Sequence, residues 1–165
     1  MAYSYDAQIA SALAGASKNP PPKRGDWKSL RQKFNSLLER CLMLDDRNTI
    51  TEETLAPFAI WTHDYNFTGW SALLDEDLGT DNVSPSAAPS RAKNLIGVAP
   101  TYIEVGELDI LRNEDIEYAR RIACAGISME LHVHGGAPHA FDLIAPHSDL
   151  VKRCMADRAR VLMAL

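Results

Sequence analysis

The residues best suited to catalysis in this 165-residue chain lie in its second half, at the ends of two strand-like runs. His139 follows one run and a glycine-rich bend in HVHGGAPHAFDL, and Asp109 ends the other in PTYIEVGELD. Histidine is the side chain whose ordinary pKa suits proton transfer near neutral pH. A carboxylate that accepts the Nδ1 proton of a histidine fixes its tautomer and stabilises its charged form. The sequence therefore predicts an acid–base pair, provided the fold brings the two side chains together.

The histidines also allow an alternative interpretation as a metal site. His132 and His134 lie on one face of a predicted strand, and with His139 they would offer three imidazoles to a metal ion. A solvated polar strand face explains the same alternation. The three cysteines are widely spaced and form no Cys-x-x-Cys pair, so neither a disulfide framework nor a zinc motif is indicated. We expect no metal and no other cofactor.

Two strands and two helices must position the pair. Residues 101–105 and 129–134 alternate apolar and polar side chains, which predicts two strands. Between them Asn113 begins a helix that ends at Gly126, with Glu114 and Asp115 in its first turn, where the helix dipole favours anions. The side chains predicted to share its apolar face are Ile116, Ala119, Ile122 and Ala123. Strand, helix and strand in succession predict parallel pairing. Parallel pairing brings Asp109 and His139 together, because both follow the carboxyl ends of neighbouring strands.

The final helix is predicted to begin at Ser148. Its predicted apolar face comprises Leu150, Val151, Cys154, Met155, Val161, Leu162 and Leu165. Cys124 falls in the preceding helix on the side expected to pack, where a buried thiol would be inert.

The first hundred residues are predicted to contain helices and loops. The segment NPPPKRG, residues 19–25, indicates an extended linker, and Asp26 can cap a following helix with an apolar stripe up to Leu42. Residues 54–78 indicate two short helices, with Pro57 in a first turn, a break near Asn66 and Thr68 as the second cap. Residues 81–94 are polar and rich in proline, which is typical of a loop.

Composition narrows the class of protein and of partner. With 46% hydrophobic and 24% charged residues, the chain resembles an ordinary globular protein that forms one core. The net charge of −5 and the lack of a Lys/Arg cluster argue against nucleic acid and anionic membranes as partners. The start of the chain lacks a secretion signal and no stretch reaches the roughly 20 apolar residues of a membrane span, so we expect a cytoplasmic protein.

A family resemblance accounts for most of these motifs. The stretch YIEVGELDILRNEDIEYARRIACAGISMELHVHGGAPHAFDL resembles the C-terminal part of hormone-sensitive-lipase-like carboxylesterases of the α/β-hydrolase superfamily, and LMLDDRN, TGWSALL and VSPSAAPSRAKNL match the same proteins in order. The resemblance implies an α/β class, a partial α/β-hydrolase fold with a few parallel strands flanked by helices. It further implies a helical, cap-like leader over residues 1–40 and the C-terminal part of a hydrolase domain over residues 41–165.

The same resemblance implies roles for individual residues. Asp109 matches the catalytic aspartate of the family and His139 its catalytic histidine, although Ala140 stands where the family usually has glycine. The aromatic residues that would line or cover the pocket for a small acyl ester are Trp61, Tyr65, Phe67 and Trp70. Without the family resemblance, these four residues would be assigned to the core.

The nucleophile of such an esterase is absent from the sequence. The family presents its serine in G-x-S-x-G and builds an oxyanion hole with an HGGG-type loop, and we find neither. The nearest match is GWSAL, which places Ser71 in a helical pattern with no strand before it. A central block is missing relative to the family, with the join near residues 39–42. We therefore predict a hydrolase by descent that is inactive or incomplete as an esterase.

Two other functions stay open at this point. The chain could be a non-catalytic interaction module, because removing central strands from a parallel sheet exposes an edge that pairs with another chain or another copy. Alternatively, Asp109 and His139 could act alone as a general base in an isomerase or lyase, which needs no acyl-enzyme.

Overall fold

The computed structural model describes residues 4–15, 43–48 and 53–164. In chain order the helices and strands are α1 (Ala7–Gly15), α2 (His63–Leu74), β1 (Thr101–Gly106), α3 (Arg112–Cys124), β2 (Met129–His134), α4 (Phe141–Ile144) and α5 (Asp149–Leu162). Within the described ranges, short 3-10 helices occupy Ala56–Phe58, Asp75–Asp77 and Pro89–Arg91. The predicted linker at residues 19–25 and the helix predicted from Asp26 to Leu42 lie outside the described residues. None of the described helices has both the length and the apolar character needed to cross a membrane.

The two strands form a parallel pair, which confirms the predicted α/β class. Thr101 aligns with Met129, and the register continues without a break to Gly106 opposite His134. Helix α3 connects the strands and packs against both. The sequence prediction for this unit is accurate because alternation and a capped amphipathic helix agree with each other.

Helix α3 packs through a stripe that shares Ala119 and Ile122 with the predicted one but not its other two residues. Its buried face includes Asp115, Ala119 and Ile122, which follow an i, i+4, i+7 spacing. Ile116 is 39% exposed, and Ala123 is exposed as well, so these two predictions are wrong. The prediction that Cys124 is buried is also wrong, because this thiol lies on the exposed side of the helix.

The C-terminal helices cover the other side of the sheet, and α1 packs on them. One cluster joins α1 to the C-terminal helices and contains Ile9, Ala137, Phe141, Ala145, Leu150, Val151 and Cys154. Ser148 caps α5 as predicted, since its hydroxyl accepts a hydrogen bond from the Val151 amide. Met155 and Leu162 are exposed, so the predicted apolar face of α5 is too wide.

Helix α2 is continuous where the sequence predicted a break. Its cap is Thr62, whose hydroxyl accepts from the Tyr65 amide, and not Thr68. The Thr68 hydroxyl donates to the Asp64 carbonyl one turn earlier, so it is satisfied inside the helix. The Asn66 side chain reaches out of the helix to the Asn48 carbonyl at 3.2 Å, and this tertiary contact outweighs the poor helix propensity of asparagine.

Residues 43–48 are fixed to the rest of the structure by buried polar contacts. Arg91 forms a two-bond ion pair with Asp46 at 2.6–2.7 Å, and Asp46 also accepts from the Gly79 amide. Burial alone would raise the pKa of Asp46, but the Arg91 and Gly79 bonds outweigh it and lower that pKa. From the other side, Glu114 accepts from the Leu44 amide at 2.7 Å.

Candidate active site

Asp109 is held by the turn that follows β1. Its amide donates to the Gly106 carbonyl, and its Oδ1 accepts from the Leu111 amide at 3.0 Å. One carboxylate oxygen is therefore used to organise the start of α3. The second oxygen, Oδ2, points to the segment that follows β2.

His139 is positioned by a close crossing of two backbones. The Leu108 amide donates to the Ala137 carbonyl at 2.9 Å, which ties the ends of β1 and β2 together. A Cβ at Gly106 would lie 2.2 Å from that carbonyl oxygen, so only glycine permits the crossing. Gly136 has φ of +67° and lies against the Asp6 backbone, so a side chain is excluded there as well.

Asp109 and His139 form the predicted pair. Asp109 Oδ2 lies 2.9 Å from His139 Nδ1. The side chains are 7% and 12% exposed, so the bond is shielded from bulk water. A carboxylate only accepts, so Nδ1 is the donor, and Nε2 is the ring nitrogen that would take up a proton.

The predicted aromatic cluster divides into two parts. The Trp61 ring stacks on the His139 ring at 5.6 Å with an interplanar angle of 25°, and Tyr65 packs on Trp61 at 5.6 Å. Trp70 is buried in another cluster, with Val83 and Ala88. Phe67 is 37% exposed. The structure therefore brings Trp61 to the acid–base pair and places Trp70 in the core.

A cavity of about 430 Å³ runs along β1 and ends at the pair. All six residues of β1 line it, and within the described part of the chain β1 has a hydrogen-bonded strand only on its β2 side. Asp115 and Tyr118 of α3 form one wall, and residues 138–143 with Arg158 form the other. The cavity is thus a groove beside the unpaired edge of a strand.

Asp115 is a residue of the site that the sequence interpretation missed. It lines the groove and is 8% exposed. Burial, reinforced by the charges of Glu114 and Asp109, raises its pKa to about 8. Burial also raises the pKa of Glu114 to about 7, against the hydrogen bonds from Leu44 and Asn48. The signal was available in the sequence, because Asp115 shares the i, i+4, i+7 stripe of Ala119 and Ile122.

The histidines are not arranged as the three-imidazole alternative required. Among the described residues, the group close enough to share a metal ion consists of Glu104, His134 and Cys154. His132 and His139 do not belong to this group. The strand face that carries His132 and His134 is only partly exposed, since α5 covers it through Cys154 and Arg158. The interpretation of this face as a solvated one is therefore wrong.

Ser71 lies inside α2, on a helical turn and not on a strand-to-helix turn. Ser84 and Ser86 lie in an exposed loop, where the Ser84 hydroxyl accepts from the Ser86 amide. None of the three serines therefore presents its hydroxyl on the sharp strand-to-helix turn that the family's nucleophile needs.

Comparison with curated proteins identifies esterases as relatives. The chain is 35% identical over 79 residues to Esterase LipI of Mycobacterium tuberculosis (strain ATCC 25618 / H37Rv), which covers 45% of this chain and 24% of the relative. It is 32% identical over 84 residues to the Carboxylic ester hydrolase LipN of the same organism, covering 51% and 22%. The chain thus matches about a quarter of the length of these relatives.

Solved structures give the same result. A bacterial heroin esterase superposes with a TM-score of 0.63 at 37% identity, over 69% of this chain and 37% of that one. Esterase LipW from Mycobacterium marinum superposes with a TM-score of 0.62 at 30% identity, over 72% and 37%. A family profile described as an alpha/beta hydrolase fold matches residues 11–143. The resemblance seen in the sequence motifs is therefore confirmed, and the chain belongs to the α/β-hydrolase fold family.

Proposed function

We propose that this chain carries the acid–base half of a carboxylic ester hydrolase site. The observation that supports the proposal is the 2.9 Å contact between Asp109 Oδ2 and His139 Nδ1 at the carboxyl ends of two parallel strands. In this role Asp109 holds the imidazole in one tautomer and stabilises its charged form. His139 Nε2 then takes the proton of an attacking hydroxyl and returns it to the leaving alcohol.

This sequence does not contain the nucleophile motif of such a hydrolase. No G-x-S-x-G occurs among its 165 residues, and the relatives extend well beyond the part that the chain matches. Removal of the nucleophile from a triad leaves only about 10³–10⁴-fold acceleration over water, which comes from the oxyanion hole and binding. The proposal is therefore that the chain alone does not hydrolyse esters through an acyl-enzyme.

The groove would hold the acyl part of a small ester near the pair. Trp61 does not itself line the groove, but its ring stacks on His139, which does. Tyr65 extends the same aromatic surface. Phe67 and Trp70 have less support as pocket residues, because one faces solvent and the other belongs to a separate cluster.

The groove also supports a second candidate function, the binding of another polypeptide. An unpaired strand edge is a template for an added strand. In the described residues, the edge of β1 away from β2 borders the groove. We expect the chain to associate with a second copy or with another chain there, and light scattering that showed a monomer over a wide concentration range would contradict this.

A probe for activated serines tests the main proposal. We expect a fluorophosphonate not to label the purified chain, and activated esters to be hydrolysed no faster by it than by His139→Ala. Labelling at one site, abolished by His139→Ala, would show a nucleophile within the chain, and Ser71 is the first candidate. The pair itself is tested by proton NMR, where the hydrogen-bonded Nδ1 proton of His139 should be visible and should be lost in Asp109→Ala.

A further inference from the structure

A cluster of three potential metal ligands lies on the opposite face of the sheet from α3. Glu104 comes from β1, His134 from the end of β2 and Cys154 from α5, and one ligand atom of each lies within 4.8 Å of the others. Cys154 is fully buried, and the side chains of Glu104 and His134 are each 12% exposed. The ring of Phe141 packs on His134 at 5.4 Å and closes one side of the cluster.

We propose that Glu104, His134 and Cys154 bind one divalent zinc-class cation through Oε2, Nε2 and Sγ. This site is separate from the Asp109–His139 pair, and the inference does not rest on the proposed hydrolase function. Carboxylate, imidazole and thiolate are the three ligand types that zinc takes in proteins. Three protein ligands leave a fourth position for water.

The distances come close to those of a tetrahedral site. Cys154 Sγ lies 3.3 Å from His134 Nε2, and His134 Nε2 lies 3.9 Å from Glu104 Oε2. Usual zinc bond lengths give tetrahedral edges of about 3.6 Å between sulfur and nitrogen and about 3.4 Å between nitrogen and oxygen. Movements of about half an ångström, within the reach of side-chain rotation, would bring these two edges to the tetrahedral lengths, and the third pair, Cys154 Sγ and a Glu104 carboxylate oxygen, lies within 4.8 Å.

The carboxylate of Glu104 is already held in a fixed orientation by its neighbours. Arg158 binds Oε1 through two of its nitrogens and also binds Asp142 Oδ2 at 2.9 Å. Oε2 faces His134 and accepts from the Tyr102 hydroxyl at 2.8 Å. Ligating carboxylates in metal sites are commonly held by such outer hydrogen bonds. Arg158 thus fixes the carboxylate from one side while leaving Oε2 directed at the other two ligands.

The charges of the cluster favour a cation accompanied by loss of one proton. The carboxylates of Glu104 and Asp142 and the guanidinium of Arg158 leave one net negative charge beside a neutral thiol. When the ion binds, the S–H bond of Cys154 breaks, its proton passes to solvent and an S–metal bond forms, with no change in oxidation state. The thiolate and the dication then bring the cluster to neutrality, as a buried site requires.

Cobalt provides the test, because a thiolate bound to Co²⁺ gives a charge-transfer absorption that a thiol does not. We expect the full chain to bind one Co²⁺, to show this absorption and to release the ion to excess Zn²⁺. Cys154→Ser should abolish the absorption, whereas Cys124→Ser, at an exposed cysteine outside the cluster, should keep it. Absence of stoichiometric binding, or loss of the absorption in Cys124→Ser, would overturn the proposal.

A second pair of variants guards against misfolding of Cys154→Ser. Glu104→Gln and Asp142→Asn each remove one carboxylate partner of Arg158, but only Glu104 is a proposed ligand. Mutation of a residue that only hydrogen-bonds to a metal ligand typically weakens metal binding about 10–100-fold. We expect Glu104→Gln, which changes a ligand itself, to weaken Co²⁺ and Zn²⁺ binding by at least as much. Asp142→Asn should weaken it less than Glu104→Gln. Equal effects of the two variants would contradict Glu104 as a ligand.

Discussion

Replacing Asp115 by asparagine should remove much of the pH dependence of folding. The carboxyl lies in the wall of the groove next to the acid–base pair, and burial together with Glu114 and Asp109 raises its pKa from 3.8 to about 8. Its side chain therefore carries a proton at neutral pH in the folded chain and none in the unfolded chain. Asparagine has nearly the same shape and stays neutral at every pH.

The direction of the effect follows from proton linkage. A carboxyl whose pKa is higher in the folded state than in the unfolded state binds its proton more tightly when the chain is folded. Its contribution to stability is therefore complete below about pH 4, where the carboxyl is protonated in both states. That contribution is lost as the pH rises toward 8, at about 1.36 kcal/mol per pH unit. Between pH 5 and pH 7 the protein should therefore lose about 2.7 kcal/mol through Asp115. Asp115→Asn should not show this loss.

Urea unfolding followed by tryptophan fluorescence measures the effect, because Trp61 and Trp70 are both buried. The free energy of unfolding is compared between the protein and Asp115→Asn at pH 5, 6 and 7. We expect the variant to lead already by about 1.6 kcal/mol at pH 5, and this lead to grow by about 2.7 kcal/mol between pH 5 and pH 7. A matched control is Asp75→Asn, at an exposed aspartate with φ of 47°, a conformation that asparagine also tolerates.

Parallel pH profiles for the protein and Asp115→Asn would refute the reasoning. They would mean that Asp115 ionises normally, through water in the groove or movement of α3. A variant less stable than the protein at pH 7 would have the same meaning, since it would show that the charged form makes favourable contacts. The same flattening in Asp75→Asn would assign the effect to overall charge.

Three further changes test individual contacts. Arg91→Met should cost about 3–5 kcal/mol in urea unfolding, because it leaves the buried carboxylate of Asp46 without its partner; a loss below 1 kcal/mol would show that water replaces it. Trp61→Ala should cost about 3–5 kcal/mol by the same assay and broaden the NMR signals of the His139 ring, whereas sharp, unmoved signals would contradict the stacking. Ala140→Gly should stabilise the protein by up to about 1 kcal/mol and so raise the thermal midpoint, because Ala140 has φ of 55°, which glycine adopts without strain. A lower midpoint would contradict this.

The acid–base pair could be predicted from the sequence because two simple patterns agree. Alternation defines β1 and β2, and a capped helix between them requires parallel pairing. The carboxyl ends of parallel strands lie side by side at one end of the sheet, and Asp109 and His139 lie there. The identity of the family adds a role for each residue to this placement.

The parts that sequence reasoning missed depend on tertiary contacts. The break predicted near Asn66 reflects local propensity, which the long-range contact to the Asn48 carbonyl overrides. Asp115 was interpreted only as an anion in the first turn of the helix, although its spacing places it on the buried stripe of α3. The environment of His134 is set by Cys154 and Arg158 of α5, and no local pattern links α5 to β2.

The backbone crossing at Gly106 has a consequence for how the acid–base pair is inherited. Both members and Gly106, which permits the crossing, lie within one contiguous stretch, and the pair closes a loop of only 30 residues. A gene rearrangement upstream of residue 101 therefore leaves the Asp109–His139 geometry encoded intact. The stacked ring of Trp61 comes from outside that stretch and is exposed to such events. During sequence divergence in this family, the proton-transfer geometry should therefore be retained longer than the apolar surface against which it works.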